Sequence, residues 1–472
     1  MKLILPTLAL SLLCVSCSNT VQLSKETTVQ ENNQPSSVAN SAPRNIIMVI
    51  GDGMGPAYTS AYRYFKDNLN TSEVEETVFD RHLMGLSSTY PAAVSGVVTD
   101  SAASATALAS GIKTYNGAIG VDVNKEPVQT VLEWAKLQGK KTGVVVTSQI
   151  NHATPASYLA HNEYRKNYNA IADSYIDDGI KADLFLGGGW KYFIREDRNL
   201  VDEFKQSGFH YIDNYQGLAN LPNNKPVLGL FADKGLPWAL DDSNKYRLST
   251  MTKAGIHHLV DLQNSDNEAD EGFFMLIEGS QIDWAGHGNN ISDAMAEMDD
   301  LAKTIEYLEH FVEHHPDTLV IVTADHSTGG FTLAANGKYE WHADNLRTMK
   351  HSVKYIAKQL NTNEINTKNT TDLFNFELTQ DELTILRKSK NNVSTVNNKN
   401  MYESKKTPKS ELALIKGVKN IMDTRSNSGW TSGGHTAIDV PVFAFGKQSE
   451  IFTGLQDNTD IATKIFMLLG KK

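Results

Sequence analysis

Cysteine is nearly absent from this chain of 472 residues. Its two cysteines, Cys14 and Cys17, both lie in the first segment of the sequence. A network of disulfide bonds therefore cannot hold the remainder of the chain together. We expect its stability to come from a buried apolar core, for which the length is ample, and from any metal ions it binds.

Positively charged residues are also fewer than negatively charged ones. Lysine and arginine number 44 against 55 aspartates and glutamates, which gives a formal net charge of -11. The sequence has no long cluster of basic residues, whereas proteins that bind nucleic acid neutralise its phosphates with a basic surface. The composition argues against a nucleic-acid partner and favours small substrates.

Long apolar runs are missing apart from one near the start of the chain. The first 17 residues carry one early cation, Lys2, then an apolar run too short to span a bilayer permanently, then small residues. This order is typical of a signal peptide, so we predict cleavable targeting over 1–17 and secretion across the inner membrane.

Ser16 and Cys17 resemble the end of a bacterial lipobox. The resemblance predicts a lipid anchor at Cys17 and a periplasmic or outer-membrane lipoprotein. Cys14 stands where a lipobox usually has leucine, so ordinary signal cleavage remains the alternative. Residues 18–44 are polar without periodic apolar positions, and we predict that they form a flexible tether.

Short continuous apolar runs recur along the rest of the chain. Strands buried on both faces read as such runs, so we predict buried parallel strands at 45–50, 142–147, 273–277, 318–323 and 440–445. Helical patterns fall between them, for example at 127–138 and 292–309. This alternation predicts an α/β fold over 45–472, with a doubly wound, mostly parallel central sheet and helices on both faces.

Residues from about 335 to 430 depart from this pattern. Asn, Lys and Thr are frequent there, and strong strand patterns are lacking. Thr379 and Glu382 have the spacing of a capping box before an apolar run, which predicts a short helix. We interpret the interval as a helix and loop insertion on the sheet that shapes the entrance to a site.

Polar side chains follow four of the predicted strands. Asp52 follows the first, 148–154 the second, Glu278 the third, and Asp325 with His326 the fourth. Ligands of open α/β sheets bind outside the carboxyl ends of the strands, so we expect these side chains to meet at one edge.

The residue types at that edge suit metal ions. Asp283 and His287 stand four apart and would share one face of a helix, where they could hold one ion together. Asp325 and His326 are adjacent, which suits a loop that leaves a strand. Imidazole with carboxylate favours zinc, and carboxylate with hydroxyl and water favours magnesium. The same thiolate-free set includes Asp52, Glu278 and His435.

The segment VVTDSAASATALASGIKTYNG, residues 97–117, places Asp100 and Ser101 at the head of a run of very small residues. Taken alone, the run predicts a helix packed tightly between larger elements, and a catalytic hydroxyl at its start is the alternative. The segment by itself leaves both interpretations open.

Six motifs in a fixed order decide between these interpretations. IGDGMG, VTDSAASATA, NHATPA, EGSQIDWAGH, TADHSTGG and SGGHT together resemble the alkaline phosphatase family, secreted phosphomonoesterases with two zinc ions and one magnesium ion. The resemblance covers nearly all of 45–472. It implies hydrolysis of phosphate monoesters to an alcohol and inorganic phosphate through a phosphoserine, and a homodimer.

The resemblance also implies a role for each matched residue. Ser101 would be the nucleophile, Arg165 would clamp two phosphate oxygens with its planar fork, and Asp100 would orient Arg165 and the turn. A serine hydroxyl needs activation, and zinc can provide it by binding the oxygen as the alkoxide. The implied ligands are Asp283, His287 and His435 for the first zinc, Asp52, Asp325 and His326 for the second, and Asp52, Thr154 and Glu278 for magnesium.

Two positions depart from the best-known bacterial pattern of the family. His152 stands where that pattern has Asp, and Trp284 stands where it has Lys. The first change bears on the magnesium site, and the second is expected to weaken the binding of product phosphate.

Other functions remain as alternatives. A phosphodiesterase or nucleotide pyrophosphatase of the same superfamily is the nearest, although Ser101 and Arg165 favour the monoesterase. A sulfatase would need a Cys/Ser-x-Pro-x-Arg segment, which DSAAS is not. A surface protein that binds metal or phosphate without turnover belongs to a different class.

Overall fold

The computed structural model describes residues 42–265, 271–391 and 407–471. The predicted signal peptide, the lipid anchor at Cys17 and most of the predicted tether lie outside these residues. Among the described residues, no helix is both long enough and apolar enough to cross a membrane.

A twisted sheet of ten strands forms the centre of the described structure. Two further pairs of very short strands lie outside it. In chain order the strands are β1 Asn45–Gly51, β2 Leu83–Ser88, β3 Lys141–Gln149, β4 Leu184–Gly188, β5 His210–Ile212, β6 Val227–Leu230, β7 Phe273–Gly279, β8 Thr318–Thr323, β9 Ser327–Thr328, β10 Phe331–Thr332, β11 Gly429–Trp430, β12 His435–Thr436, β13 Val440–Gly446 and β14 Gly454–Asp457.

The strand order across the large sheet is β14-β2-β13-β8-β1-β7-β3-β4-β6-β5. The predicted mostly parallel α/β sheet is confirmed, since β8, β1, β7, β3, β4, β6 and β5 all run parallel. The prediction of a parallel strand at 440–445 was wrong, because β13 runs antiparallel to both of its neighbours, β2 and β8. A continuous apolar run reports burial on both faces and carries no information on direction.

Helices cover both faces of the sheet. In the described residues they are α1 Pro56–Lys66, α2 Val78–Arg81, α3 Ser101–Ser110, α4 Val131–Leu137, α5 Ala153–Leu159, α6 Tyr168–Asp177, α7 Trp190–Phe193, α8 Leu200–Gln206, α9 Arg247–Ser265, α10 Gln281–His287, α11 Ile291–His314, α12 Asp344–Thr348, α13 Val353–Thr362, α14 Thr367–Phe374, α15 Gln380–Asn391, α16 Lys409–Ser426 and α17 Asn458–Leu468.

Alternate residues of each central strand enter two separate apolar cores. In β1, Ile47 and Val49 pack into the core beneath α1, α9 and α11. Ile46, Met48 and Ile50 pack into the other core, beneath α3, α4, α5 and α17. This alternation follows from the two-residue period of a strand, and burial on both faces explains why the run is continuously apolar.

The described residues of the interval from 335 to 430 add five helices, α12 to α16, to one face. Their apolar side chains, such as Ile356 of α13 and Val418 of α16, join the core that also contains α11. The predicted capping box is confirmed, because Thr379 N donates to Glu382 Oε2 at 2.7 Å and Glu382 N donates to Thr379 Oγ1 at 3.3 Å.

A buried arginine ties together three helices close to the edge where the polar residues meet. Arg247 of α9 is fully buried and donates to Glu297 at 2.7 Å and to Asp300 at 2.8 Å, both on α11. It also reaches Gln281, the first residue of α10, at 3.5 Å. Because unpaired buried charges are costly, this network fixes α10 relative to α9 and α11.

Candidate metal centre

Four adjacent strands deliver the predicted ligands to one edge of the sheet. The strands β8, β1, β7 and β3 are neighbours, and the polar side chains follow or end each of them. His435 reaches the same edge from the opposite direction, because it precedes β13, whose antiparallel course makes its start lie beside the end of β8. The strand direction that the sequence did not predict is therefore what brings His435 to the site.

The first cluster consists of Asp52, Asp325 and His326, all fully buried. His326 Nε2 lies 3.5 Å from Asp52 Oδ1 and 3.2 Å from Asp325 Oδ2. Both oxygens of Asp52 and Oδ2 of Asp325 are buried and accept no hydrogen bond from the described part of the chain. Buried oxygens without donors that converge on an imidazole nitrogen fit a bound cation.

The second cluster surrounds Asp283. Helix α10 carries both Asp283 and His287, as the four-residue spacing predicted, and His287 Nε2 lies 3.5 Å from Asp283 Oδ1. His435 Nε2 lies 3.7 Å from Asp283 Oδ1 and 3.1 Å from His287 Nε2. Two imidazole nitrogens aimed at the same space beside a carboxylate are the arrangement that a zinc ion needs.

Each histidine of the two clusters is oriented by a partner on its other ring nitrogen. Nδ1 of His287 lies 2.7 Å from the Gly433 carbonyl, and Nδ1 of His435 lies 2.8 Å from the Thr99 carbonyl. A carbonyl oxygen only accepts, so Nδ1 carries the proton in both rings. The Nε2 lone pairs are therefore directed into the site, where a metal would bind them.

Thr328 is a residue that sequence reasoning missed. Its hydroxyl donates to Asp283 Oδ1 at 2.5 Å and accepts from Nδ1 of His326 at 3.2 Å, so it links the two clusters. The signal was its place two residues after His326 in the motif TADHSTGG, since a hydroxyl beside a ligand often orients that ligand.

A third group adjoins Asp52. His152 and Glu278 each place a ligand atom close to Asp52, and all three residues are buried. Ser280 Oγ and Ser148 Oγ donate to Glu278 Oε2 at 2.5 Å and 3.3 Å. Thr154, in the first turn of α5, is also fully buried. His152, expected only to support this group, offers a nitrogen to it directly.

Ser101 begins helix α3, and Asp100 caps that helix by accepting from Ala103 N at 3.0 Å. Ser101 Oγ lies 3.1 Å from His326 Nε2, so the hydroxyl points into the first cluster. All ten residues of α3 are buried. Their small side chains let the helix sit close to the sheet, and its N-terminus favours an anion.

Arg165 lies in the loop between α5 and α6 and meets Asp100. Its Nη1 donates to Asp100 Oδ2 at 3.0 Å, and Asp100 Oδ1 accepts from Gly117 N at 3.0 Å. One carboxylate thus holds the guanidinium, the loop at Gly117 and the start of α3 in fixed relation. That Asp100 orients Arg165 and the turn for catalysis stays a prediction.

The electrostatics of the site are dominated by buried carboxylates. Burial, reinforced by the neighbouring acids, raises the pKa of Asp52 and raises the pKa of Asp325 to about 8. Burial also raises the pKa of Glu278 to about 7. Burial acts in the same direction on Asp283, but the three histidines facing it lower its pKa overall. Cations in the clusters would remove this repulsion.

Comparison with known proteins assigns the chain to one family. A family model described as "Alkaline phosphatase" matches residues 43–470. The chain is 46% identical over 432 residues to "Alkaline phosphatase 4" of Bacillus subtilis (strain 168), which covers 90% of this chain and 88% of that protein.

Comparison with solved structures leads to the same family. A cold-active alkaline phosphatase from Shewanella sp. superposes with a TM-score of 0.80 at 46% identity and covers 90% of this chain and 99% of its own. A variant of the TAB5 alkaline phosphatase, in which one histidine is replaced by aspartate, has Mg bound in the M3 site. It superposes with a TM-score of 0.64 at 30% identity, with 91% of this chain and 99% of that chain covered.

The raised pKa values predict how metal-free protein responds to pH. Asp325 and Glu278 keep protons in the folded state that the unfolded state has released, so stability falls as pH rises toward their folded pKa values. His152 and His326, whose pKa values burial lowers, are neutral in both states above about pH 7 and do not oppose this trend. Chelated protein should lose on the order of 1 kcal/mol of unfolding free energy between about pH 7.5 and pH 9.

Thermal or urea denaturation at the two pH values measures this loss. The control is the same protein after zinc and magnesium are restored, which should show a smaller change because bound cations keep the carboxylates ionised. Chelated protein that is as stable at the higher pH as at the lower one would contradict the electrostatic assignment.

Proposed function

Because the chain belongs to the alkaline phosphatase family, it is a phosphatase, and we propose that it hydrolyses phosphate monoesters through a phosphoserine at Ser101. The observation that carries this proposal is the position of the Ser101 hydroxyl. It stands at the N-terminus of α3, 3.1 Å from His326 Nε2 and within the cluster of buried carboxylates. A hydroxyl buried among prospective metal ligands can take part in chemistry there, whereas its contribution to the structure is small.

We propose that the two clusters hold zinc. The second cluster would bind one ion through Asp283, His287 and His435. The first cluster would bind the other ion through Asp52, Asp325 and His326. The mixture of imidazole and carboxylate without thiolate supports zinc, as do the unpartnered oxygens of Asp52 and Asp325. Metal analysis by mass spectrometry would count two zinc ions per chain, and a count below two would contradict the assignment.

A magnesium site of Asp52, Thr154 and Glu278 is proposed beside them. The TAB5 variant with Mg in its M3 site carries aspartate in place of a histidine. In this chain His152 groups with Asp52 and Glu278, and it offers a nitrogen where magnesium prefers oxygen. We infer that His152 makes this third site less selective for magnesium than an aspartate would.

In the proposed reaction Ser101 Oγ loses its proton to solvent and attacks phosphorus. The bond to the ester oxygen breaks in line, and that oxygen takes up a proton from solvent and leaves as the alcohol. Water then attacks the phosphoserine, releases inorganic phosphate and restores Ser101. The zinc ions, when bound, supply positive charge that stabilises the serine alkoxide and the departing oxygen. Arg165, held by Asp100, and the first N-H groups of α3 meet the charge on the phosphoryl oxygens.

Replacing Ser101 with alanine tests the nucleophile. Ser101→Ala should lower kcat for p-nitrophenyl phosphate by on the order of a thousandfold or more, since the phosphoserine cannot form. The matched control is Ser110→Ala, at the last position of the same helix, where the hydroxyl donates to the Thr106 carbonyl. The control should stay within about twofold of the parent enzyme.

The same assay separates the alternatives. The parent enzyme should hydrolyse bis(p-nitrophenyl) phosphate far more slowly than the monoester. The diester has two unesterified phosphoryl oxygens, whereas the monoester has three to share among Arg165, the N-H groups of α3 and the proposed metal ions. Faster hydrolysis of the diester would favour a phosphodiesterase. No hydrolysis of either compound by fully metallated protein would favour a binding protein without turnover.

Trp284 is proposed to speed release of product phosphate. It lies on α10 directly after Asp283, and its ring meets that of His152 edge to face at 5.9 Å. A cation there would attract phosphate, so Trp284→Lys should lower the inhibition constant for phosphate by about threefold or more. Trp284→Met, which removes the ring without adding charge, should leave the constant near its parent value. An unchanged constant in the lysine variant would refute the role.

We further propose that the mature protein is a lipid-anchored homodimer in the periplasm or outer membrane. The start of the chain supports the anchor at Cys17, and the family resemblance supports the dimer. Exposed apolar side chains near the head of α3 support a second copy as partner. Val94 and Val97 are 76% and 69% exposed, and Leu455 on the edge strand is 72% exposed and pairs in register with Leu86.

Native mass spectrometry of protein extracted from cells tests both parts. The expected species is a dimer whose chains begin at acylated Cys17, and a double substitution of Val94 and Val97 by aspartate should shift it toward monomer. A monomeric parent protein would refute the dimer, and an unacylated start after residue 17 would refute the anchor.

A further inference from the structure

A cavity of about 880 Å³ lies beside the metal centre. His152 and Trp284 form its boundary with the ligand clusters, so whatever fills it sits next to the phosphate that Ser101 would attack. Cavities of this volume accept small organic ligands. None of the proposed metal ligands lines this cavity, and neither does Ser101 or Arg165.

Lysine dominates the charged residues that line the cavity. The five lysines come from distant parts of the described chain: Lys166, Lys191, Lys234, Lys354 and Lys419. They gather in one place although the whole chain is acidic. We call this feature the lysine cleft.

The acidic side chain in the described lining does little to balance this charge. Asp293 is the one acidic residue in the lining as the structure describes it, and its side chain is almost fully buried. Burial, with a further contribution from Asp241, raises the pKa of Asp293, which favours its neutral form. Its oxygens are also engaged by Asn290 Nδ2 at 2.6 Å and Val353 N at 3.3 Å.

Three of the lysines lack carboxylate partners. Lys166, Lys191 and Lys234 are exposed and form no ion pair with any described acidic residue. Among the described residues, Lys191 Nζ has a distant ring neighbour, at 5.8 Å from the centroid of Tyr192. By contrast, Lys113 and Lys136, outside the cleft, each pair with an aspartate within 3 Å. Unbalanced cations around one cavity attract a polyanion.

The insertion helices supply one wall of the lysine cleft. Lys354 lies on α13 and Lys419 on α16, where Lys419 Nζ donates to the carbonyl of Gly288. The lining also contains Lys191 of α7 and Lys234, which follow the carboxyl ends of β4 and β6. The cleft is thus built from both the sheet edge and the insertion, and the insertion limits what can approach the metal centre.

We propose that the lysine cleft binds the leaving group of substrates whose leaving group itself carries phosphate, such as sugar bisphosphates or nucleoside diphosphates. This assignment rests on the proposed phosphomonoesterase function. The chemistry is unchanged: Ser101 takes the phosphoryl group nearest the metals, the bond to its bridging oxygen breaks, and the leaving group departs with its own phosphate intact. The lysines favour such substrates by binding that second phosphate.

Matched substrate pairs test the proposal. Fructose 1,6-bisphosphate differs from fructose 1-phosphate by one phosphate, and ADP differs from AMP in the same way. In at least one pair, the parent enzyme should have a kcat/KM about tenfold higher for the more highly phosphorylated substrate. A second cleavable phosphate would by itself raise kcat/KM by no more than about twofold. In the double variant Lys191→Met with Lys234→Met, the ratio of the two kcat/KM values should fall about fivefold.

The control is the double variant Lys225→Met with Lys253→Met. Lys225 precedes β6, at the opposite edge of the sheet from the cleft, and Lys253 lies exposed on α9. This control should keep the parent ratio. A preference confined to the fructose pair identifies a sugar phosphate as the ligand, and one confined to the adenosine pair identifies a nucleotide.

Calorimetry with metal-loaded Ser101→Ala protein tests the cleft without turnover. Fructose 1,6-bisphosphate or ADP should bind several-fold more tightly than its monophosphate partner, and the two lysine substitutions should remove that difference. If the parent enzyme hydrolyses no phosphate ester, the proposed function fails while this binding difference still tests the cleft. Equal preference in the parent enzyme and the cleft variant, in both pairs, overturns the proposal.

Discussion

The structure depends on holding several carboxylates together away from water. Asp52, Glu278, Asp283 and Asp325 are fully buried at one edge of the sheet. Arg165 acts on Asp52 as an opposing charge, but its own guanidinium is paired with Asp100. Like charges in a dry site repel strongly, so the metal-free arrangement stores unfavourable electrostatic energy. The surrounding scaffold, including the Arg247 network beneath α10, keeps the acids in place despite this repulsion.

Orientation of the ligands follows from partners outside the clusters. Backbone carbonyls fix the rings of His287 and His435, and Thr328 spans Asp283 and His326. These contacts are made before any ion binds, so the site does not have to reorganise when it fills. The small residues of α3 serve the same purpose for Ser101, because larger side chains would hold the helix away from the sheet.

Much of this arrangement could be predicted from the sequence. Central strands bury both faces and so leave continuous apolar runs, and the bounds of β1, β3, β7 and β8 agree with those runs to within two residues. The direction of β13 could not be predicted, because burial is independent of strand direction. The only sequence signal for Thr328 was its position in a motif. The lysine cleft left no local signal in the sequence, since its members lie as far apart as Lys166 and Lys419.

The spread of the ligands along the chain also governs when the site can form. The proposed zinc ligands run from Asp52 to His435, and the first cluster joins residues more than two hundred and seventy positions apart. No partly synthesised or partly folded chain can hold them in place, because such distant contacts form only when the sheet is complete. Metal capture is therefore a late event, and a loaded centre marks a chain whose folding is finished.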